Sequence, residues 1–274
     1  MLNIKHEIPF VKDMMETTQS MWQLGWNERN GGNISYMLDE NMVLQYINTT
    51  SINKTIDIGF EVKDLAGKYF IVTASGSFFR NIAKYPEKLL GVIRIQENGN
   101  KADVLWGFEN GNRPTSELAS HLMSHSVRLK KDPTHRVVLH CHATNIVAMS
   151  HAHSLVEEEF TRTIWQMCTE CLYVFPEGVG VLPWLVPGTN EIGIQTAKKM
   201  QDCRLVLWPQ HGIFGTGRDL DDAFSLVEVL EKAAQVYMLQ AAIPDSKKQY
   251  IADKDLYEFA KVFKVIPRDG VLKM

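Results

Sequence analysis

The chain has 274 residues, of which 45% are hydrophobic and 22% charged, and a formal net charge of -3. That is long enough for one large domain or two small ones with a sizeable core. It excludes an overall basic nucleic-acid binder, so nucleic acid is not expected as a partner and any site for an anionic metabolite must be made locally. The cysteines Cys141, Cys168, Cys171 and Cys203 are too sparse for a stapled secreted scaffold. No run of 18 apolar residues marks a membrane span, and the opening MLNIKHEIPFVKDMMETTQS does not read as a signal peptide. A cytoplasmic protein without a membrane partner is expected.

Phe10 to Leu24 reads as a helix, because Val11, Met14, Met15, Met21, Trp22 and Trp26 recur at spacings of three and four. It ends near Gly25, and the Gly31-Gly32 pair marks a sharp turn. Ile34 to Leu38 alternates like a strand. Residues 39–64 hold many Asn, Thr and Ile residues with little periodicity, and read as an insertion of short strands or loops within one domain spanning 1–274. Strands are expected at Tyr69 to Thr73, Gly91 to Ile95 and Val104 to Gly107, with a turn at 97–100 between the last two. A helical pattern runs from Thr115 to about Lys130 and breaks at Asp132-Pro133. Val137 to His142 reads as a buried strand. A helix at Phe160 to Thr169, a short strand at Leu172 to Phe175, a helix at Glu191 to Gln201 and a strand at Arg204 to Trp208 follow. Leu220 to Gln240 is the longest helix, and a short one lies near Lys254 to Phe263. The order lacks clean βαβ repetition. The expected class is α/β, a single domain with a central mainly antiparallel or mixed sheet and helices on its faces.

His140-Cys141-His142 is the sharpest local signal. Strand side chains alternate faces, so the two imidazoles point one way and Cys141 the other, into packing. Two imidazoles at one strand end suit zinc, whose catalytic sites keep three protein ligands and one open position. His211 is the best third ligand, because it follows the apolar strand that ends at Trp208. The glycines at 212, 215 and 217 would let the backbone bend around a site. His121 and His125 share a helix face but lack a strand-end context, and His151 and His153 read as surface or loop residues. The lone Cys168-x-x-Cys171 has no second pair to complete a thiolate site. Glu117 follows Thr115-Ser116, an N-cap signature, and as a first-turn acid it would suit the helix dipole. The same helix start, Ser75-Gly76 and Asn30-Gly31-Gly32-Asn33 are candidate anion cradles. No Walker A or dinucleotide fingerprint appears.

Taken together, WNERNGGN (26–33), FIVTASGSFFRN (70–81), PTSEL (114–118) and HCHATN (140–145) resemble the class II sugar-phosphate aldolase family, which includes adducin-like domains. TECL (169–172), FPEGVG (175–180), PWLVPGT (183–189) and WPQHG (208–212) complete the likeness, which covers essentially the whole chain. Within the family the likeness is to bacterial members that split L-rhamnulose 1-phosphate into dihydroxyacetone phosphate and L-lactaldehyde. The resemblance implies a phosphorylated ketose as substrate, one Zn2+ per subunit on His140, His142 and His211, and Glu117 as acid/base. It implies phosphate contacts from Asn30, Gly31, Asn33, Ser75, Gly76, Thr115 and Ser116. It also implies a cyclic homotetramer with sites at subunit interfaces, in which Glu170 serves a neighbour's site. One departure is Ser77, which stands where the family's best-known form carries lysine. An epimerase or dehydratase of the same family would use the same histidines, whereas a non-catalytic adducin-like module would have lost them.

Overall fold

A computed structural model describes residues 8–273; residues 1–7, part of the opening stretch judged not to be a signal peptide, lie outside the described residues. In chain order the elements are α1 (Pro9–Gln23), β1 (Asn33–Leu38), α2 (Glu40–Tyr46), β2 (Lys54–Asp57), β3 (Tyr69–Thr73), α3 (Pro86–Leu89), β4 (Leu90–Ile95), β5 (Lys101–Gly107) and α4 (Leu118–Lys131). Then come β6 (Val137–Cys141), α5 (Thr144–Ala152), α6 (Glu157–Met167), α7 (Thr169–Val174), β7 (Val179–Val181), α8 (Asn190–Met200), β8 (Leu205–Trp208), β9 (Gly212–Gly217), α9 (Leu220–Leu239) and α10 (Asp253–Phe263).

The described strands form one nine-stranded sheet in the order β2-β5-β4-β3-β1-β6-β9-β8-β7. Every pairing is antiparallel except β7 with β8. The mixed α/β architecture expected from the sequence is therefore what forms. Period-two alternation sorts β6 between two layers. Val137, Leu139 and Cys141 join the core under α9, while Val138 joins the cluster that includes Ile192 and Met200 of α8. The α4 and α8 helices pack on each other over that second face. His140 shares the parity of Val138 and is fully buried there.

Three readings change. Leu172 to Phe175 is not a strand: α7 occupies Thr169–Val174, with Cys171 and Leu172 buried and Tyr173 exposed. A run of four apolar residues carries no period that separates strand from helix. The glycines at 212, 215 and 217 do not bend the chain around a site; they build β9, whose six residues are all buried. A Cβ on Gly217 would lie 2.5 Å from the Ala223 nitrogen, and one on Gly215 would lie 2.9 Å from Val227 Cγ2, so both glycines let α9 approach the sheet closely. The helix after Pro114 begins at Leu118 rather than Thr115, which takes Glu117 out of the first turn. Residues 39–64 supply α2 and the edge strand β2, paired with β5. Among the described residues no helix is long and apolar enough to cross a membrane.

One buried carboxylate fixes how the chain leaves β6. Glu231 of α9 accepts from the backbone N–H groups of Asn145 and Ile146 and from the Asn145 amide, at 2.8–2.9 Å. It neutralises the positive N-terminal end of α5, three residues beyond His142. Hydrogen bonds to a charged group contribute about 1.5–3 kcal/mol. Glu231→Ala should therefore lower unfolding stability by roughly 2–3 kcal/mol, read as an earlier urea midpoint at unchanged slope. An unshifted midpoint would show that the bonds to α5 contribute nothing net.

Candidate metal centre

Three neighbouring segments converge on one point. His140 leaves the middle of the sheet on β6, paired with Asn33 of β1 on one side and Phe214 of β9 on the other. His142 lies just beyond the end of β6, where its backbone N–H donates to the Trp26 carbonyl. His211 sits in the tight turn between β8 and β9, with its N–H donating to the Trp208 carbonyl. Gln210, directly before it, is left-handed at φ 58°. Its backbone N–H donates to Ser150 Oγ and its side-chain amide to the Ser150 carbonyl, both at 2.8 Å. Such a strained residue persists only where its surroundings hold it, and here α5 holds it so that His211 points inward.

One ligand atom from each of the three histidines lies within 4.8 Å of the others. His140 Nδ1–H donates to the Ile213 carbonyl at 3.0 Å, and His142 Nδ1–H to Glu28 at 2.7 Å. In both rings the proton is thereby drawn to Nδ1 and Nε2 is left with its lone pair. His140 Nε2 and His211 Nδ1 are buried without a protein partner. Burial, reinforced by His142, pushes the pKa of His140 well below its ordinary value and that of His211 down to about 4. Neutral imidazoles with unpartnered nitrogens are the donor set of one zinc ion with an open position. The cluster thus fits a single zinc site per chain.

Glycines make the close approach possible. A Cβ on Gly31 would lie 2.7 Å from the His142 ring, and one on Gly212 would lie 2.8 Å from the His140 ring. Gly32, at φ +77°, has no room for a Cβ beside Asn27 and the His140 carbonyl. Glu28 is the contributor that sequence reasoning missed, although it lies inside the WNERNGGN segment.

Glu117 stands just before α4, nine-tenths buried, with its Oε2 3.7 Å from His140 Nε2. Its backbone N–H donates to Thr115 Oγ1, and its carboxylate accepts from Asn33 Nδ2 at 2.8 Å. Burial raises its pKa above the ordinary carboxylate range, partly offset by the Asn33 bond. Asn33 accepts in turn from His121. The Asn33 side chain is thus held between Glu117 and His121. Gly31 is packed against the His142 ring.

The remaining anion candidates fall together. Ser75 N–H donates to the Arg113 carbonyl, and Thr115 N–H to the Thr73 carbonyl, so the turn after β3 lies beside the segment leading to Glu117. Ser116 and Gly76 are exposed, Ser75 is half-buried and Asn30 is exposed. A cleft of about 500 Å³ is lined by Thr115, Ser116, Arg113, Asn190 and residues 56–58. Ser77 is buried. Glu170, by contrast, is exposed on α7, where Cys168 Sγ donates to it at 3.0 Å and lowers its pKa. It has no hydrogen bond or ion pair to the three histidines or Glu117 of its own chain.

Residues 12–238 match the model of the Class II Aldolase and Adducin N-terminal domain. The chain belongs to this family. The rhamnulose-1-phosphate aldolase of Enterococcus faecalis is 54% identical over 97% of this chain and 95% of its own length. That of Listeria monocytogenes serotype 4b is 53% identical over 96% of both. Among solved structures, a sugar-phosphate aldolase from Thermotoga maritima is similar at a TM-score of 0.73 and 28% identity, covering 87% of this chain and 97% of that one. This class II aldolase chain is thus matched in sequence over nearly its full length.

His121 and His125, considered above as distant metal candidates, are not ligands of the cluster. Both are buried beside Ser35. Burial, then the neighbouring ring, brings the His121 pKa down to about 3, partly offset by the Val138 carbonyl; burial likewise brings His125 to about 3, partly offset by the Ser35 carbonyl. Below the ordinary histidine value of about 6.5 the unfolded chain binds a proton at each position, while the folded protein stays neutral down to about pH 3. More protons bound by the unfolded state means that stability rises with pH. Stability should therefore fall as pH is lowered from about 6.5 toward 3, by up to about 1.4 kcal/mol per pH unit for each ring. Denaturant midpoints between pH 7 and 5 will read this slope. His125→Gln should flatten it, and an unchanged slope would place the proton uptake elsewhere.

Proposed function

We propose that this chain catalyses the reversible retro-aldol cleavage of L-rhamnulose 1-phosphate to dihydroxyacetone phosphate and L-lactaldehyde. The observation that carries it is the buried Glu117 carboxyl 3.7 Å from His140 in a three-histidine zinc site. Relatives more than half identical over nearly the whole chain bear the name of that activity. Zinc, when bound, supplies Lewis-acid stabilisation of the enediolate charge that develops as the C3–C4 bond breaks. Glu117 exchanges a proton with C3 of the dihydroxyacetone phosphate half. Its raised pKa suits that work, because an acid/base group is most effective when its pKa lies near the working pH. Asn33 holds one carboxylate oxygen, leaving the other to face the substrate.

Ser75, Gly76, Thr115 and Ser116 bind the phosphate, with Asn30 and Gly31 closing the far side. Arg113 brings a positive charge to the same cleft as Ser116. Glu170 works across a subunit boundary in a cyclic homotetramer, where it assists proton movement at the C4 hydroxyl. Its exposure and its lack of a hydrogen bond to its own chain's site support that reading, as does the prevalence of closed symmetry among soluble oligomers. The protein acts in the cytoplasm as one 1–274 domain carrying the 39–64 insertion.

The decisive assay offers a small panel of ketose 1-phosphates and detects dihydroxyacetone phosphate, with and without a chelator. Cleavage should require metal, return with about one zinc per chain, and fall by roughly 10²–10⁴-fold in Glu117→Gln at unchanged zinc content. Full activity of metal-free protein, or a parental rate in Glu117→Gln, would sink the reading. A second experiment tests the interface. Glu117→Gln and Glu170→Ala, each nearly inactive alone, are dissociated, mixed and reassembled. Recovered activity places Glu170 in a neighbour's site, whereas mixed assemblies without any gain confine it to its own chain or to no role.

A further inference from the structure

The structure carries a polar row behind the metal centre that begins at Glu117 and runs on through residues that the reaction itself does not touch. Glu117, at the N-cap of α4, and His121 and His125 within that helix are spaced four apart. Asn33 and Ser35 are spaced two apart on β1, which faces them. Four helical residues advance about 6 Å, and two strand residues advance about 6.7 Å. The two rows therefore stay in step, and each β1 side chain meets two from the α4 row. Asn33 lies between Glu117 and His121, and Ser35 lies between His121 and His125 at 2.8 Å from each. His121, His125 and Ser35 are essentially inaccessible to solvent.

The chemistry of the groups gives this chain of bonds a direction. An ionised Glu117 only accepts, so the Asn33 contact at its Oε2 must be the amide nitrogen, and the Asn33 oxygen must face His121. That oxygen only accepts, so His121 carries its proton on Nε2 and has a lone pair on Nδ1. Ser35 then donates its hydroxyl proton to His121 Nδ1 and accepts at its oxygen from His125 Nε2–H. Every donor points toward Glu117. A linear series of this kind is strengthened by mutual polarisation in a medium without water, and its far end is anchored in the core beside Phe70.

We propose that His121, Ser35 and His125 are positioning residues for Glu117. They fix the Asn33 amide so that it holds Oε2, the carboxylate oxygen that lies beside His140. This inference rests on the proposed acid/base role of Glu117. Neither imidazole exchanges a proton with substrate; their part is to set orientation.

The test uses the zinc-loaded enzyme. His121→Phe keeps a ring in the cavity and removes both bonds. Misplacing a reacting group slightly is worth about tenfold to hundredfold in rate, so kcat should fall by that factor. KM for the phosphorylated substrate and zinc content should stay within about twofold, because neither the phosphate loops nor the three ligands have moved. His121→Gln sets an amide nitrogen where Nε2 stood and should recover most of the loss. In a Glu117→Gln background, His121→Phe should cost little more, because the group being positioned is already gone. Equal losses in both backgrounds would overturn the proposal. A parental rate in Glu117→Gln alone would instead overturn the role of Glu117 on which it rests. Ser35→Ala repeats the kinetic test should His121→Phe not fold. Nitrogen-15 spectra of histidine-labelled unmutated enzyme give a readout free of activity. They should show His121, assigned by its loss in His121→Gln, protonated on Nε2 and bare on Nδ1; the opposite tautomer would overturn the inference.

Discussion

Three imidazoles must stay neutral while lying within 4.8 Å of one another. Protonated, they would repel in a medium that screens poorly; neutral and unmetallated, they leave buried nitrogens without partners. Two devices keep the lone pairs available. Burial makes the charged form of His140 and His211 unfavourable, and acceptors behind the His140 and His142 rings, the Ile213 carbonyl and Glu28, draw the proton to the nitrogen that faces away. The rest of the architecture around the site follows from that need. The β1, β6 and β9 strands must be sheet neighbours, the 26–33 loop must approach His142 without a Cβ at Gly31, and the 208–211 turn must accept a left-handed Gln210.

The carboxylate faces the opposite problem. Glu117 must be dry enough for its pKa to rise, yet an unpartnered buried charge is costly. The Asn33 amide meets both conditions, since it supplies one hydrogen bond without a countercharge that would drive the pKa back down. An arginine at that position would stabilise the ion and spoil the acid. The amide needs its own oxygen satisfied, and this accounts for a polar row of His121, Ser35 and His125 in an otherwise apolar layer.

Much of this was legible in the sequence, for reasons that can be named. Val137 to His142 declared itself because a β-branched and apolar run leads into two histidines spaced two apart, and His211 because it follows the apolar run Leu205 to Trp208. The long helices declared themselves by period. What escaped had no period of its own. β9 is half glycine, and its strand character comes from α9 packed over it at Ala223 and Val227. α7 is six residues long, too short for a repeat to register. Asn33 read as part of an anion cradle, and its bond to Glu117 appears only when β1 is laid against the start of α4. Glu28 was hidden in the same way, because its partner His142 lies 114 residues away.

The site therefore divides into two halves under different constraints. The metal end is built from a strand interior at His140, a strand end at His142, the tight turn at His211 and the start of α4, all packed closely enough that one substitution disturbs several contacts. The proposed anion end is built from the segments at 75–77 and 113–116, joined by backbone hydrogen bonds, with exposed Ser116 and Gly76 and a cleft walled partly by residues 56–58. Under the proposed function, reaction type resides in the first half, because proton transfer and charge stabilisation would depend on the position of Glu117 relative to the histidines. Discrimination between sugars would then rest on contacts to the aldehyde half, since the histidines and the phosphate cradle present the same chemistry to any ketose 1-phosphate. Within 39–64, β2 hangs on the sheet's edge by a single partner strand, whereas Val43 and Ile47 are anchored in the core.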